Sequence, residues 1–376
     1  MNKVLLLGCN KTTELILPGI MRIAAVSEII IAAKDKAECD ELRKKYSGTG
    51  PRITTARVDL DNIPGVKMML SITNPDLIVN ISSPEICKTV MELALGTDAD
   101  YIDSFLYECG KGDLLSSQFE LFGEFRNKGR MAIAGCSLDP SVFTAVIRSS
   151  LREDFDAVDS VDIVKLNLDI EDTDTADAAV ISNGELIRAD ALALGDDAPS
   201  ADGVKLRLSD SAVTQSILRE IPGIPEVRCY VSYADKKQAD YTEELNRLGM
   251  LSDEPLEIFP GVSISPREFW EKLVLSRKEP DTLKGSCETY LTVKGKYRGS
   301  DKKKSVRIKG DNDECFEKYG LSFREYLDAM ALLNGVRLLC SGKWTRSGVF
   351  TPSVFDPDTF VSGLKSNGVE FEINEE

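Results

Sequence analysis

The sequence predicts an α/β protein in which a doubly wound parallel sheet is followed by a mixed α+β domain. Three observations carry this reading. Six short apolar runs before residue 150 alternate with helical segments, the first of them, Val4 to Leu7, is cut off by Gly8, and beyond Asp154 strand-like runs alternate with acidic loops. A run as short as Val4 to Leu7 stopped by glycine reads as a buried parallel strand entering a turn.

That first turn has the form of a dinucleotide-binding βαβ unit with one glycine retained. The pattern is Gly8-x-Asn10-x-x-Thr13. In the full motif the second glycine lets the backbone approach a pyrophosphate and the third lets helix pack on strand. Asn10 can tolerate the left-handed conformation that the second glycine would have supplied, whereas Thr13 brings bulk to the third position. Pro18-Gly19 predicts a helix that kinks or starts late, near Leu17. Gly8, Asn10, Lys11, Thr12 and Thr13 are the candidate phosphate-turn residues, with Lys11 the charged contact or a solvated side chain.

Ser27 to Ala33 reads as the second strand, followed by a charged helix to about Tyr46. An acidic residue at this strand end would bind the ribose hydroxyls of NAD and a basic one the 2′-phosphate of NADP. The chain offers Lys34, with Lys36 behind it, which favours NADP, with NAD possible. A lysine pair opening a surface helix is the competing reading. Ile53 to Asp59 is the third strand, its end marked by Asp59, and Asn62 to Ile72 the next helix.

Asp76 to Ile81 forms the fourth strand and ends in Ser82-Ser83-Pro84. Ligands of doubly wound sheets lie beyond the carboxyl ends of the strands, so Asn80, Ser82, Ser83 and Pro84 are expected beside the nicotinamide half of a cofactor. A plain serine cap is the alternative. A helix follows over Glu85 to Leu95. The strands Asp100 to Asp103 and Met131 to Gly135 complete the set, placing Tyr101 and Asp103 at one strand end and Cys136 at the next. For Cys136 a small apolar filler competes with a reactive thiol. The stretch GCSLDPSV, Gly135 to Val142, leads into a helix over Phe143 to Leu151, and its Asp139 is either a helix start or a group at the reacting centre.

Past Asp154, Val161 to Leu168 and Glu226 to Ser232 are strand-like, and Cys287 to Lys294 and Ser305 to Lys309 are further antiparallel strands around a polar turn, Arg298 to Lys304. The acidic stretches Asp169 to Asp177 and Asp196-Asp197 lack the spacing of a calcium loop and read as solvated. Phe323 to Leu339 is helical, and Thr359 to Ile373 closes the chain as helix and strand. Trp270 and Trp344 are expected to anchor their surroundings.

Composition narrows function by exclusion. The 376 residues are 42% hydrophobic with a net charge of −16, which argues against nucleic acid or an anionic membrane as main partner and reads either as plain solubility or, more sharply, as a means of concentrating cationic small molecules. Histidine is absent, so acid–base work falls to Asp, Glu, Lys, Tyr, Cys or water, and the commonest transition-metal ligand is missing. Nine scattered cysteines give no disulfide framework or zinc spacing, so no metal is expected. No apolar run is long enough to cross a membrane and no signal-type succession opens the chain, which together read as cytoplasmic.

Taken in order, the nucleotide turn, DLIVNISSP, DADYIDS, GCSLDPSV, LNRLGMLSDEPLEI with DTLKGS, and the terminal GKWTRSGVFTPSVFDPDTFVSGLKSNGVEF resemble the saccharopine dehydrogenase (reductase) family, and within it the carboxynorspermidine/carboxyspermidine dehydrogenases. The resemblance covers nearly the whole chain. It implies a Rossmann domain over 1–150, an inserted substrate and dimerisation domain over 151–340, and a segment 341–376 that returns to the Rossmann domain. It also implies imine chemistry: an amino-acid aldehyde condenses with an amine and NADPH delivers hydride to the imine carbon. Asp139, or a water it orients, would then supply the proton to the product nitrogen, with Asp103 near the nicotinamide. The chain departs from the family at the glycine turn, at Ser141 where glycine is expected, and around Asn167 to Asn183. These departures support two other readings, a non-catalytic relative acting in binding or assembly, and a saccharopine-like substrate whose two carboxylates would be held by arginines such as Arg188, Arg228 and Arg267.

Overall fold

Five of the six apolar runs are buried through most of their length, as strands inside a parallel sheet are, and the third, half-buried, takes the sheet edge. In the computed structural model, which describes residues 1–48, 50–105, 116–168, 177–192, 194, 198–199, 204–233, 236–275 and 283–376, they are β1 (Lys3–Leu7), β2 (Glu28–Ala33), β3 (Arg52–Arg57), β4 (Leu77–Asn80), β5 (Asp100–Asp103) and β6 (Met131–Ile133). Helices α1 (Lys11–Met21), α2 (Lys36–Tyr46), α3 (Ile63–Thr73) and α4 (Cys87–Gly96) join them. A seventh strand, Gly348–Phe350, pairs in parallel with β6, giving the order Gly348–Phe350, β6, β5, β4, β1, β2, β3. The order reverses between β1 and β4, which is where doubly wound sheets open a ligand crevice.

On one face of this sheet Leu5, Leu7, Ile30, Ile78, Tyr101 and Phe125 form a continuous apolar core. The apolar helix Phe323–Cys340 packs closely on α1: a Cβ added to Gly19 would lie 2.5 Å from Leu333 Cδ2. At β5 and β6 it comes as close, since a Cβ on Gly335 would fall 2.6 Å from Cys136 Sγ. This helix therefore belongs with the parallel sheet. The chain divides into one unit of Met1–Ser149 with Lys318–Val369 and another of Ser150–Glu317 with Glu370–Glu376. The return thus begins at Lys318, ahead of the expected 341, and the last seven residues lie in the second unit.

The second unit is a mixed sheet built from β7 (Ala157–Leu166), β8 (Asp177–Ser182), β9 (Glu185–Asp190), β10 (Leu206–Leu208), β11 (Glu226–Ser232), β14 (Ser286–Tyr297) and β15 (Ser300–Asp311), with β12 (Leu256–Phe259) and β13 (Val262–Ile264) as a separate hairpin. Strand Gly348–Phe350 is β16, and β17 (Glu372–Glu375) edges this second sheet, in the order β17, β15, β14, β7, β11, β8, β9. Among the described residues of this sheet only β7 and β11 pair in parallel. Arg298 to Lys304 is not the polar turn expected. The turn is Arg298-Gly299 alone, both at positive φ, which matches a two-residue hairpin, and Ser300 to Lys304 continue the strand opposite Tyr297 to Val293. The acidic residues Asp169 to Ala176 and Asp196-Asp197 lie outside the described residues.

Candidate functional site

The β1–α1 turn is pressed against the end of β4. Gly8 stands at φ +127°, and a Cβ there would meet the Ile81 carbonyl carbon at 3.0 Å and Ser82 N at 3.2 Å, so the position requires glycine. Asn10 does not use the left-handed conformation it could tolerate, since its φ is −145°. Its side chain acts instead. Oδ1 accepts from Thr13 N at 3.0 Å, and Nδ2 donates to the Ile81 carbonyl at 3.1 Å. Thr13 is fully buried, and its hydroxyl donates to Gly8 O at 3.0 Å while accepting from Asn10 N at 3.3 Å. Asn10 and Thr13 thus form a capping box in which two polar side chains do the work of two glycines.

This cap starts α1 at Lys11 rather than near Leu17. Pro18 lies inside the helix, where buried Ile16, Leu17 and Ile20 offset the bond it cannot donate. Among the described residues no acceptor meets the backbone N–H of Lys11 or Thr12. Exposed amides at a helix start suit a pyrophosphate, so the turn fits a dinucleotide. Lys11 itself pairs with Glu14 at 3.2 Å, and its stem lies 3.2 Å from where a Gly320 Cβ would be. Thr12 is half-buried beside it.

At the ends of β2 and β3 the structure brings together Lys34 and Asp59, which the sequence marked separately. Lys34 Nζ lies 3.4 Å from Asp59 Oδ1 and 3.6 Å from Asp61 Oδ2. The Asp59 hydrogen bond, with the charge of both carboxylates, holds the Lys34 pKa above its ordinary value. Asp35 caps α2 through Ala37 N, and Lys36 is taken by Asp40 at 2.8 Å.

A buried polar chain ties the ends of β4, β5 and β6. Ser82 donates to Asn80 Oδ1 from its amide at 3.2 Å and its hydroxyl at 2.5 Å, and Asn80 Nδ2 donates to the Tyr101 hydroxyl at 3.1 Å. Tyr101 in turn donates to Asp103 Oδ2 at 2.6 Å. Gln118 Nε2 donates to the same oxygen at 2.9 Å, while Oδ1 accepts from Gly135 N at 2.9 Å and Phe105 N at 3.1 Å. Burial raises the Asp103 pKa to about 6, against the lowering effect of these donors. Asp103 has no exposed surface among the described residues, and its bonds to Gly135 N and Phe105 N tie together the loops after β5 and β6. Tyr101 is equally enclosed.

The remaining candidates frame this chain. Ser83 is half-buried and precedes the short turn Pro84–Ile86, and its carbonyl accepts from the Cys87 thiol at 3.8 Å. Cys136 is buried with its thiol pKa pushed well up by burial, and it donates to Ala331 O at 3.2 Å, which is the filler reading rather than the reactive one. Asp139 is half-buried, and its carbonyl accepts from Ser137 Oγ at 2.7 Å. Sequence reasoning missed Asp61, Gln118 and Asp328, whose Oδ1 accepts from Leu138 N at 2.7 Å, because each arrives from a distant or non-periodic stretch. The arginines proposed for a dicarboxylate are already engaged: Arg188 by Asp177 and Asp210, Arg228 by Glu226, and Arg267 by Asp253. Trp344 stacks on Phe355 at 4.7 Å and anchors the terminal block as expected, and Trp270 lies against Tyr241.

Comparison with known proteins agrees with this geometry. Residues 4–133 match the family described as saccharopine dehydrogenase NADP binding domain. Along its length the chain is 23% identical to a carboxyaminopropylagmatine dehydrogenase of Synechocystis sp., covering 98% of this chain and 96% of that protein. It is 20% identical to a carboxynorspermidine synthase of Vibrio alginolyticus, covering 93% and 91%. The fold matches that of apo saccharopine dehydrogenase (L-Glu forming) from Saccharomyces cerevisiae with a TM-score of 0.70 at 13% identity, over 100% of both chains. With a capped β1–α1 turn, parallel strands in the order β3, β2, β1, β4, β5, β6, β16 and dehydrogenase relatives along its length, the chain is an oxidoreductase whose residues 4–133 match the saccharopine dehydrogenase NADP binding domain.

Proposed function

We propose that this protein reduces an imine, formed from an amino-acid aldehyde and an amine, with NADPH as the expected donor, in a carboxynorspermidine-type reaction of polyamine metabolism. The observation that carries the reading is full-length similarity to relatives whose names describe carboxylated polyamines, at 93% to 98% coverage of this chain. The chain's charge of −16 supports a cationic amine as one reactant. Condensation of aldehyde and amine releases water and leaves a C=N bond. A bound nicotinamide would supply the hydride that the imine carbon accepts.

The chain's own residues hold and orient. The amides of Lys11 and Thr12 face the pyrophosphate, Lys34 takes the 2′-phosphate, and the Ser82 to Pro84 turn borders the nicotinamide side. Asp139, or a water it orients, supplies the proton to the nitrogen as the C=N bond becomes a C–N single bond. Alignment of two bound reactants supplies roughly 7 to 11 kcal/mol of rate enhancement in such systems, which explains how a protein without histidine performs the reaction. The reading includes a cytoplasmic homodimer. Its exposed apolar side chains Leu256, Ile258, Phe259 and Val262, on the β12–β13 hairpin, would suit a second copy.

The test is oxidation of NADPH by the purified protein with aspartate semialdehyde and a panel of diamines, with the product identified by mass. Amine-dependent turnover yielding the carboxyalkylated amine supports the reading. NADPH oxidation that ignores the amine, or none at all, removes it.

A further inference from the structure

Recognition of the adenosine ribose in a doubly wound sheet uses one of two chemistries at the end of the second strand. A carboxylate accepts from the 2′- and 3′-hydroxyls, or a cation receives a 2′-phosphate. Here both are present in one cluster. Lys34 follows β2, Asp59 and Asp61 follow β3, and the ammonium sits 3.4 Å and 3.6 Å from the two carboxylates. All three side chains are solvent-accessible, at 68% for Lys34, 38% for Asp59 and 91% for Asp61.

The neighbouring charges are committed elsewhere. Asp35 caps α2, and Asp40 holds both Lys36 and Arg43. Arg57, which pairs in register with Ala33, is the other cation at these strand ends among the described residues. A 2′-phosphate approaching Lys34 therefore meets two carboxylates that already share its charge. A 2′-hydroxyl meets the same carboxylates as acceptors.

We propose that Asp59 and Asp61 are specificity-determining residues that hold Lys34 in competition with the 2′-phosphate, so that the site accepts NADH and NADPH with only a narrow preference between them. The inference rests on the dinucleotide reading of the first unit. Exposed ion pairs of this geometry each shift an equilibrium by a factor of roughly 1.5 to 5, so the two together set a ratio of modest size that ionic strength reduces.

The test measures dissociation constants for NADH and NADPH, by cofactor fluorescence and calorimetry, for the full chain and for Asp59→Asn/Asp61→Asn, Lys34→Gln and Arg57→Gln. Asn keeps an oxygen for the Asp61 amide that Asp59 now accepts, so the loop is retained. The expected result is a preference of under about tenfold in the parent. It should move at least about fivefold toward NADPH in the double variant and toward NADH in Lys34→Gln. A parent preference above a hundredfold, a double variant whose ratio stays within twofold, or a 2′-phosphate contribution lost in Arg57→Gln and kept in Lys34→Gln overturns it while leaving dinucleotide binding standing. Binding of neither nucleotide by the folded parent removes the dinucleotide reading and this inference together.

Discussion

Tyr101 donates its phenol to Asp103, two residues along the same strand, across 2.6 Å, and neither side chain has exposed surface. Alternate residues of a strand share a face, so this pair lies on one side of β5. Through it, Asn80 and the Ser82 turn are mechanically joined to Gly135 and the loop that carries Asp139.

Asp103 gives the pair a pH signature. Its pKa of about 6 lies above the ordinary carboxylate value of 3.8, so between those limits the folded protein keeps a proton that the unfolded chain releases. Stability from this group is full below the lower limit and falls as pH rises through about 6, the ionised carboxylate costing about 3 kcal/mol above it. Asp103→Asn should remove that fall because an amide does not ionise, and Gln118 Oε1, buried without a partner among the described residues, can accept from the new amide after a flip. Urea unfolding at pH 4.5, 6 and 7.5 checks it: the parent curve should lose stability relative to Asp103→Asn as pH rises, and parallel curves would refute the assignment.

Tyr101→Phe should cost about 1 to 3 kcal/mol, because it removes a donor to Asp103 and leaves buried Asn80 Nδ2 without its phenol acceptor. It should also raise the Asp103 pKa further, since the phenol favours the charged form. The pH at which stability declines in Tyr101→Phe therefore lies above that of the parent.

Restoring glycine at position 13 should harm the nucleotide turn. Thr13→Gly deletes the hydroxyl that serves Gly8 O and Asn10 N and places glycine in the first turn of a helix, for an expected loss of about 1 to 2 kcal/mol. Asn10→Ala should lose about as much, with the Ile81 tie cut as well. Chemical denaturation of both, alongside nucleotide titration, tests whether side-chain caps have replaced the glycines; greater stability and tighter binding in Thr13→Gly would show that they have not.

Gly335→Ala should overpack the contact between the helix Phe323–Cys340 and the sheet. Its Cβ would lie 2.6 Å from Cys136 Sγ and 2.7 Å from Ile102 Cδ1, for an expected cost of about 1 to 3 kcal/mol. Adding Cys136→Ala should recover part of that cost, and the non-additivity of the double mutant in unfolding experiments measures the clash.

What the sequence revealed follows from how locally each feature is encoded. The strands β1 to β6 were legible because apolar runs bounded by turns need no partner to be recognised. β16 was not, since three residues such as Gly348–Phe350 acquire strand character only from pairing with β6. At α1, Pro18 was the conspicuous signal, yet the capping box of Asn10 and Thr13 set the start. Lys302, Lys303 and Lys304 read as a polar turn but lie in a strand whose ladder is supplied by β14 and β17. Lys34 and Asp59 were both visible, whereas their contact with each other, and the place of Gln118 against Asp103, depend on strand ends brought together from far along the chain.

Strands β16 and β17 also impose an order on synthesis. Each closes a different sheet, and both lie within the last 29 residues, Gly348 to Glu376. While the ribosome is still translating, the parallel sheet ends at β6 and the mixed sheet at β15, so each presents an open strand edge. Such edges attract other strands. Neither sheet is therefore complete before residue 348 is translated, and a nascent chain stalled there would expose both edges to chaperones at once.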